Sequence, residues 1–208
     1  MQKNTPITPQ ATEASLQVVA GEQLLPWLDA IARLRMSVFR AFPYLYEGDM
    51  AYEKKYLATY ADKPGAMTVL VHSGGRVAGA STALPLRDEP LEVQAPFLKK
   101  GIPVDEVFYF GESVLEKALR GRGIGVRFFE ERERFARQIS GIRWLAFCAV
   151  DRPADHPLRP ADYEPLDRFW QKRGFERQTD MQTTFLWTDV GHEHESAKTM
   201  TFWLKRID

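Results

Sequence analysis

Two periodicities divide the chain. Short apolar stretches with strand character fall at Ser15–Ala20, Met67–His72, Arg76–Leu84, Val107–Leu115, Ile142–Val150, Phe175–Trp187 and Thr199–Arg206. Between them the spacing turns helical. Leu28, Ile31, Leu34, Met36 and Val38 predict a helix over about Leu24–Phe39, ending before Pro43. Tyr52, Tyr56 and Tyr60 predict a second over Asp49–Tyr60. Ile124, Phe128, Phe135 and Ile139 form one apolar stripe of a helix over Gly123–Gln138, whose other face carries Glu130, Arg132, Glu133, Arg134 and Arg137. Ser73-Gly74-Gly75 between two strand patterns reads as a β-hairpin turn. The Pro- and charge-rich stretch from Pro85 to Asp105 holds one short helix near Phe97, and Leu166–Arg173 is a short helix stopped by Gly174.

The near-continuous apolar run Val107–Leu115 suits a central strand covered on both faces. With the following helix and Ile142–Val150 it makes a βαβ unit with parallel strands, while the other connections favour antiparallel pairing. The expected fold is therefore α/β, one domain over 15–208, behind a mobile lead-in over 1–14 that is rich in Thr, Gln and Pro.

Composition narrows the classes. The 208 residues carry 28 Lys+Arg against 28 Asp+Glu, which argues against a dedicated nucleic-acid binder. No run approaches the roughly 18 apolar residues of a membrane span. The single cysteine, Cys148, cannot form an internal disulfide, so the expected setting is reducing and cytoplasmic. Either a monomer or a homodimer is compatible with this composition.

The turn between the central strand and the amphipathic helix reads Arg120-Gly121-Arg122-Gly123-Ile124-Gly125. Its glycines let the backbone turn so that successive N–H groups converge, and the helix N-terminus adds unpaired amides and the positive end of its dipole. With two arginines present, a pyrophosphate suits this construction best. A Walker loop is disfavoured because no Gly-Lys-Ser/Thr follows, and a Rossmann loop because no acidic residue stands about twenty positions on. A glycine-rich turn with solvated arginines is the plainer alternative.

Arg120-x-x-Gly123-x-Gly125 resembles the Gln/Arg-x-x-Gly-x-Gly/Ala signature of the GNAT N-acyltransferases, at the same place after the fourth strand. Phe169-Trp170-Gln171-Lys172-Arg173-Gly174-Phe175 looks like that family's second marker, and the order of elements agrees from Ser15 to Arg206. The resemblance implies a GNAT-like fold: a mixed, mostly antiparallel sheet with a central parallel pair that splays, and helices on both faces. It implies acetyl-coenzyme A or another acyl-coenzyme A as cosubstrate, an amine of a small molecule or peptide as acceptor, and no metal. The amides of Arg120, Gly121, Arg122, Gly123, Ile124 and Gly125 would hold the pyrophosphate. Main-chain groups near Val114 and Leu115 would bond the pantetheine arm and polarise the thioester carbonyl. A binding module that holds acyl-coenzyme A without chemistry, as a sensor, is the alternative.

An amine must lose its proton to attack a thioester, and Glu112, inside the apolar strand, is the first choice of base. A carboxylate salt-bridged at a bend beside Gly111 is the competing reading. The tyrosine that protonates the departing thiolate in many relatives is replaced by Trp170, which is no useful acid; Tyr163 is the substitute, or else a Tyr packed on the core. Cys148 reads as a buried structural thiol, and Asp151, Asp155 and His156 lack metal-ligand spacing. His192 and His194 read as solvated. Phe39, Phe42, Tyr44 and Tyr46 lie where relatives shape the acceptor pocket, or else simply pack their connection on the sheet.

Overall fold

The computed structural model describes residues 14–208. The expected lead-in over 1–14 lies, apart from Ala14, outside the described residues. Seven strands form one sheet: β1 (Ser15–Val19), β2 (Met67–Ser73), β3 (Arg76–Pro85), β4 (Val107–Leu115), β5 (Trp144–Val150), β6 (Glu176–Thr188) and β7 (Glu195–Arg206), in the order β1-β2-β3-β4-β5-β7-β6. All pairs are antiparallel except β4–β5.

The helices are α1 (Leu28–Phe39), α2 (Met50–Ala61), α3 (Leu91–Lys99), α4 (Ile124–Ala136) and α5 (Asp167–Gln171). The first begins later than its apolar spacing suggested. Pro26 has no N–H to give an α-helical bond, and Gly21–Trp27 winds as a tighter 3-10 turn instead. Asp49 caps α2 by accepting from the Tyr52 amide at 2.8 Å. Strand β7 starts four residues before the expected Thr199, because polar Glu195–Lys198 pairs with Phe185–Thr188 and so completes the last hairpin.

Each face of the sheet buries its own core. On one, Leu70, Ala80, Tyr109, Ala146 and Phe202 lie under Ile31 and Leu34 of α1, Leu57 and Tyr60 of α2, and Val93 and Phe97 of α3. On the other, Phe108, Phe110, Leu145, Phe147 and Trp203 pack against Ile124, Phe128 and Phe129 of α4 and Phe169 and Trp170 of α5. No helix among the described residues is long and apolar enough to cross a membrane.

Two irregularities of β4 position the site. The parallel pairing covers only Val107–Tyr109 against Trp144–Ala146. Beyond it β4 stays with β3 as far as Leu115 and β5 stays with β7 as far as Val150, so the two strands part. Within β4, Ser113 opposes Ser81 while Phe110 opposes Ala83, which leaves Gly111 and Glu112 both across from Thr82. This is a β-bulge, and it turns two consecutive positions toward one face.

Candidate active site

At the end of the diverging β4, a short turn (Lys117–Leu119) leads into the glycine run. Gly121 and Gly123 have φ of 75° and 79°, a left-handed backbone that side-chain-bearing residues rarely adopt. Gly123 is the N-cap of α4 and offers no side chain to the first turn. The amides of Gly121, Arg122, Gly123, Ile124 and Gly125 donate no hydrogen bond to any described residue; the first helical bonds come from Val126 and Arg127 to the Gly123 carbonyl. Five consecutive donors are thus presented at an exposed helix N-terminus.

The flanking residues divide their tasks. Arg120 turns inward: its amide, expected among the diphosphate donors, instead donates to the Lys117 carbonyl at 3.2 Å, and its Nε donates to the Leu115 carbonyl at 3.1 Å, so it closes the turn and its N–H does not join the row. Arg122 is exposed. Gly125 answers a packing need: a Cβ there would lie 3.3 Å from the ring of Phe169, which fixes how closely α5 approaches α4. Val114 is buried and Leu115 half-buried, and on the β5 side of both the main chain has no strand partner.

On the opposite face of β4, the bulge delivers Glu112 into a buried polar cluster. Its Oε2 accepts from Arg35 Nη1 at 2.8 Å and from the Tyr56 hydroxyl at 3.1 Å. Arg35 also pairs with Glu53, which is fully buried, and its guanidinium lies over the rings of Tyr56 (4.5 Å) and Phe39 (5.1 Å). Burial works against the charge on Arg35, yet Glu112, Tyr56 and Glu53 more than offset it and raise its pKa well above the usual value. Glu112 Oε1 is buried with no partner among the described residues. From the other face Arg132 of α4 donates to the carbonyls of Glu112 (3.4 Å) and Thr82 (3.5 Å), caged by Phe110 and Phe129. Burial pushes its pKa down to about 9, against the opposing pull of Glu112 and Tyr60.

Glu112 is therefore an ion-paired carboxylate at a strand bend that retains one unengaged oxygen. Arg35, Glu53, Tyr56 and Tyr60 were not singled out from the sequence for this site. A signal was present in α2, where Glu53, Tyr56 and Tyr60 recur at i, i+3 and i+7 and give the helix a buried polar stripe where apolar residues belong.

Tyr163 does not join this cluster by any hydrogen bond. Its ring packs edge-on against Phe42 at 4.6 Å, under the Arg159 guanidinium at 4.9 Å. Burial raises its pKa, with Arg159 partly opposing. Tyr44 lies between, close enough for Cys148, Tyr163, Arg35 and Glu112 all to act electrostatically on its hydroxyl, whose pKa is raised chiefly by burial. Trp170 sits between Phe147 (5.1 Å) and Trp203 (5.0 Å) on the far face, a packing role.

The connection between α1 and α2 is tied down from the far end of the sheet. Arg152 donates to the carbonyls of Pro43 and Tyr44, both at 2.7 Å, and pairs with Asp189 at 2.8 Å; Lys198 approaches Asp189 at 3.4 Å. Although burial opposes it, the pairing with Arg152 and Lys198 keeps the Asp189 carboxyl below the usual range. Phe39, Phe42, Tyr44 and Tyr46 are placed by this anchor, with Phe39 and Tyr44 4.6 Å apart.

Other sequence candidates are accounted for. Cys148 is buried 3.1 Å from the Tyr109 hydroxyl, and burial pushes its thiol up to about 12 despite that hydrogen bond, which makes it a poor nucleophile. Asp151 pairs with Arg177 at 2.6 Å and accepts from Thr201, a structural arrangement. His192 and His194 are exposed in the β6–β7 turn. No group of His, Cys, Asp and Glu among the described residues is arranged to hold a metal ion.

No protein-family model and no curated protein matches the sequence. Solved structures do match the fold. An acetyltransferase from Thermus thermophilus is 18% identical, with 95% of this chain and 99% of that one covered at a TM-score of 0.55. An acetyltransferase of the GNAT family from Streptococcus pneumoniae is 17% identical, covering 93% and 100% at 0.58. Arabidopsis thaliana NAA60, solved in complex with a bisubstrate analogue, is 12% identical, covering 93% and 100% at 0.57. The parted β4–β5 pair, the bulge and the glycine turn thus belong to a chain with the fold of GNAT acetyltransferases.

Proposed function

We propose that the protein is an acyl-coenzyme A-dependent N-acyltransferase that moves an acyl group, acetyl in the first instance, directly to an amine of a small molecule or peptide. The observation that carries this reading is the row of unpartnered amides from Gly121 to Gly125 at the head of α4, beside the gap where β4 and β5 part. Such a row satisfies a diphosphate without relying on side-chain charge. The five free donors, the exposed Arg122 and the open main-chain edge near Val114 and Leu115 fit a nucleotide diphosphate with an extended arm.

In this reading acyl-coenzyme A supplies an activated carbonyl, and the chain does the rest. The Gly121–Gly125 turn binds the diphosphate, and the free edge at Val114–Leu115 orients the arm and stabilises charge on the carbonyl oxygen. Glu112 Oε1 takes the proton of the amine, while Arg35 and Tyr56 hold the other carboxylate oxygen in place. In this reading Tyr163, whose ring lies against Phe42, protonates the leaving thiolate. The reading includes a cytoplasmic setting, which the free thiol of Cys148 suits.

The test is thiol release from acetyl-coenzyme A across a panel of amines, paired with calorimetry of coenzyme A binding. Turnover with at least one amine, reduced roughly 100-fold or more in Glu112→Gln with coenzyme affinity preserved, is the expected result. Background release on every amine despite measurable coenzyme binding would support the sensor instead. An unaltered pH–rate profile in Glu112→Gln would remove Glu112 from the role of base.

A further inference from the structure

A line of oxygens runs from the bulge to the edge of the domain. The Tyr56 hydroxyl lies 3.1 Å from Glu112 Oε2 and 3.0 Å from the Tyr60 hydroxyl, which in turn lies 3.5 Å from Glu89 Oε1. Tyr56 and Tyr60 are four residues apart on α2 and present their rings to the sheet together, 5.6 Å between centroids. Glu89 follows β3 and is only half-buried, whereas Glu112 is buried. Gly111 makes room for the line: a Cβ at this position would lie 2.3 Å from the Tyr60 hydroxyl.

Counting hydrogens constrains what the line can do. Three hydrogen bonds among four oxygens need three protons, and the two tyrosines carry two. The third must sit on one of the terminal carboxyls. Either Glu112 is protonated and donates to Tyr56, which donates to Tyr60, which donates to an ionised Glu89, or every bond runs in the reverse direction from a protonated Glu89. The two orders differ by one shift of three protons.

We propose that Tyr56, Tyr60 and Glu89 form the route by which the proton that Glu112 takes from the acceptor amine leaves the protein. This rests on the acyltransfer reading above. While Glu112 is ionised, the third proton sits on Glu89. The amine N–H breaks as Glu112 Oε1 gains its proton, and Glu89 gives its own to water. The tyrosine hydroxyls then turn, and a half-turn of the carboxyl presents the new proton to Tyr56. O–H bonds break at Glu112, Tyr56 and Tyr60 and form at Tyr56, Tyr60 and Glu89, so that Glu112 is again ionised and Glu89 again protonated.

The surroundings suit the two ends to their tasks. Burial and then the charge of Glu112 hold the Glu89 carboxyl up to about 7, with Tyr60 and Lys63 acting to lower it and Glu92 to raise it. At the inner end Glu112 faces Arg35 of α1, Glu53 and Tyr56 of α2, Tyr44 of the connecting loop, and Arg132 of α4 from below. A terminal acid that titrates near neutrality hands its proton to ordinary buffers with little loss in either direction.

The two tyrosines and Glu89 touch no substrate in this scheme, so the test must separate proton export from bracing of Glu112. In Tyr60→Phe and in Glu89→Gln, kcat for acetyl transfer to the best amine falls about tenfold in dilute buffer, with KM and coenzyme A affinity unchanged. Concentrated imidazole restores it, while the wild type is insensitive to buffer. Infrared titration, which needs no turnover, shows a carboxyl band titrating near pH 7 that is lost in Glu89→Gln and displaced in Tyr60→Phe. A loss of kcat that no buffer relieves, or no loss at all, would overturn the route. An active wild type lacking that band would overturn the route and leave acyl transfer standing; a wild type inactive on every amine would sink the acyltransfer reading first.

Discussion

The Gly121–Gly125 turn and the cluster around Glu112 occupy opposite faces of one strand and are built by opposite means. The turn is main chain: consecutive residues, positive φ, no side chain required, and exposure to solvent. The cluster is side chain: Arg35, Glu53, Tyr56, Tyr60, Glu89 and Glu112 come from α1, α2, the loop after β3 and the bulge of β4, and most are buried. A ligand common to many proteins can be held by backbone geometry alone, whereas proton handling at one atom needs charges set against each other in a low dielectric. Damage should therefore differ in kind. A lesion in the cluster strikes folding and chemistry together, and a lesion at Gly121 or Gly123 of the turn, where a Cβ meets no atom within 4 Å, strikes binding alone.

The largest expected effect tests the cluster. Arg35→Leu leaves Glu53 and Glu112 buried beside each other without their shared cation, and loss of one partner from a buried ion pair costs about 3–5 kcal/mol. Denaturant unfolding at neutral pH should show this loss, while any remaining folded protein binds coenzyme A with wild-type affinity. A change below about 1 kcal/mol would mean that the cluster is hydrated and its charges screened by water.

The same contrast explains what the sequence disclosed. The glycine turn was legible because its signal is local: residue type fixes backbone freedom, and strand and helix patterns on either side fix its place. The seven strands were legible for the same reason, down to the single parallel pair. The cluster was not, beyond Glu112 as an acid in an apolar strand. Arg35 appeared as one polar position in a helix whose neighbours pack on the sheet, and Glu89 as one charge in a polar connection. Their meeting depends on the bulge that turns both Gly111 and Glu112 toward α2, and no local spacing encodes a bulge. Tyr163 shows the same limit from the other side: it stands one or two turns before Trp170 in sequence, but Pro165 lies between them and its ring packs on Phe42.

A middle-sized effect tests the turn. Gly123→Val forces a β-branched residue into φ of 79°, at a cost of about 1–3 kcal/mol that the chain avoids by opening the turn. The site is exposed and a Cβ there meets no atom within 4 Å, so the rest of the fold has no reason to respond. Coenzyme A affinity should fall at least about tenfold in calorimetry, with an unchanged circular dichroism spectrum. Wild-type affinity would show that these amides do not hold the diphosphate.

The smallest effect sharpens the comparison by changing sign. The Glu89 carboxyl is raised from 4.5 to about 7 in the folded protein, chiefly by burial. Below about pH 4.5 both folded and unfolded chains hold this proton and no stability difference arises. Between that value and about 7 the unfolded chain ionises while the folded one resists, so wild-type stability declines as pH rises and the loss is complete above 7. Such a shift corresponds to at most roughly 3 kcal/mol, and the partial hydration of a half-buried carboxyl brings the expectation to about 1–2 kcal/mol. Glu89→Gln has no charge to bury and escapes the decline. Unfolding curves should therefore coincide for variant and wild type near pH 4 and separate in favour of the variant at pH 8. A substitution that stabilises the fold at the pH where it slows proton release would mark Glu89 as a group kept for its chemistry, since the cluster's structure alone gives no reason to retain a charge that weakens it.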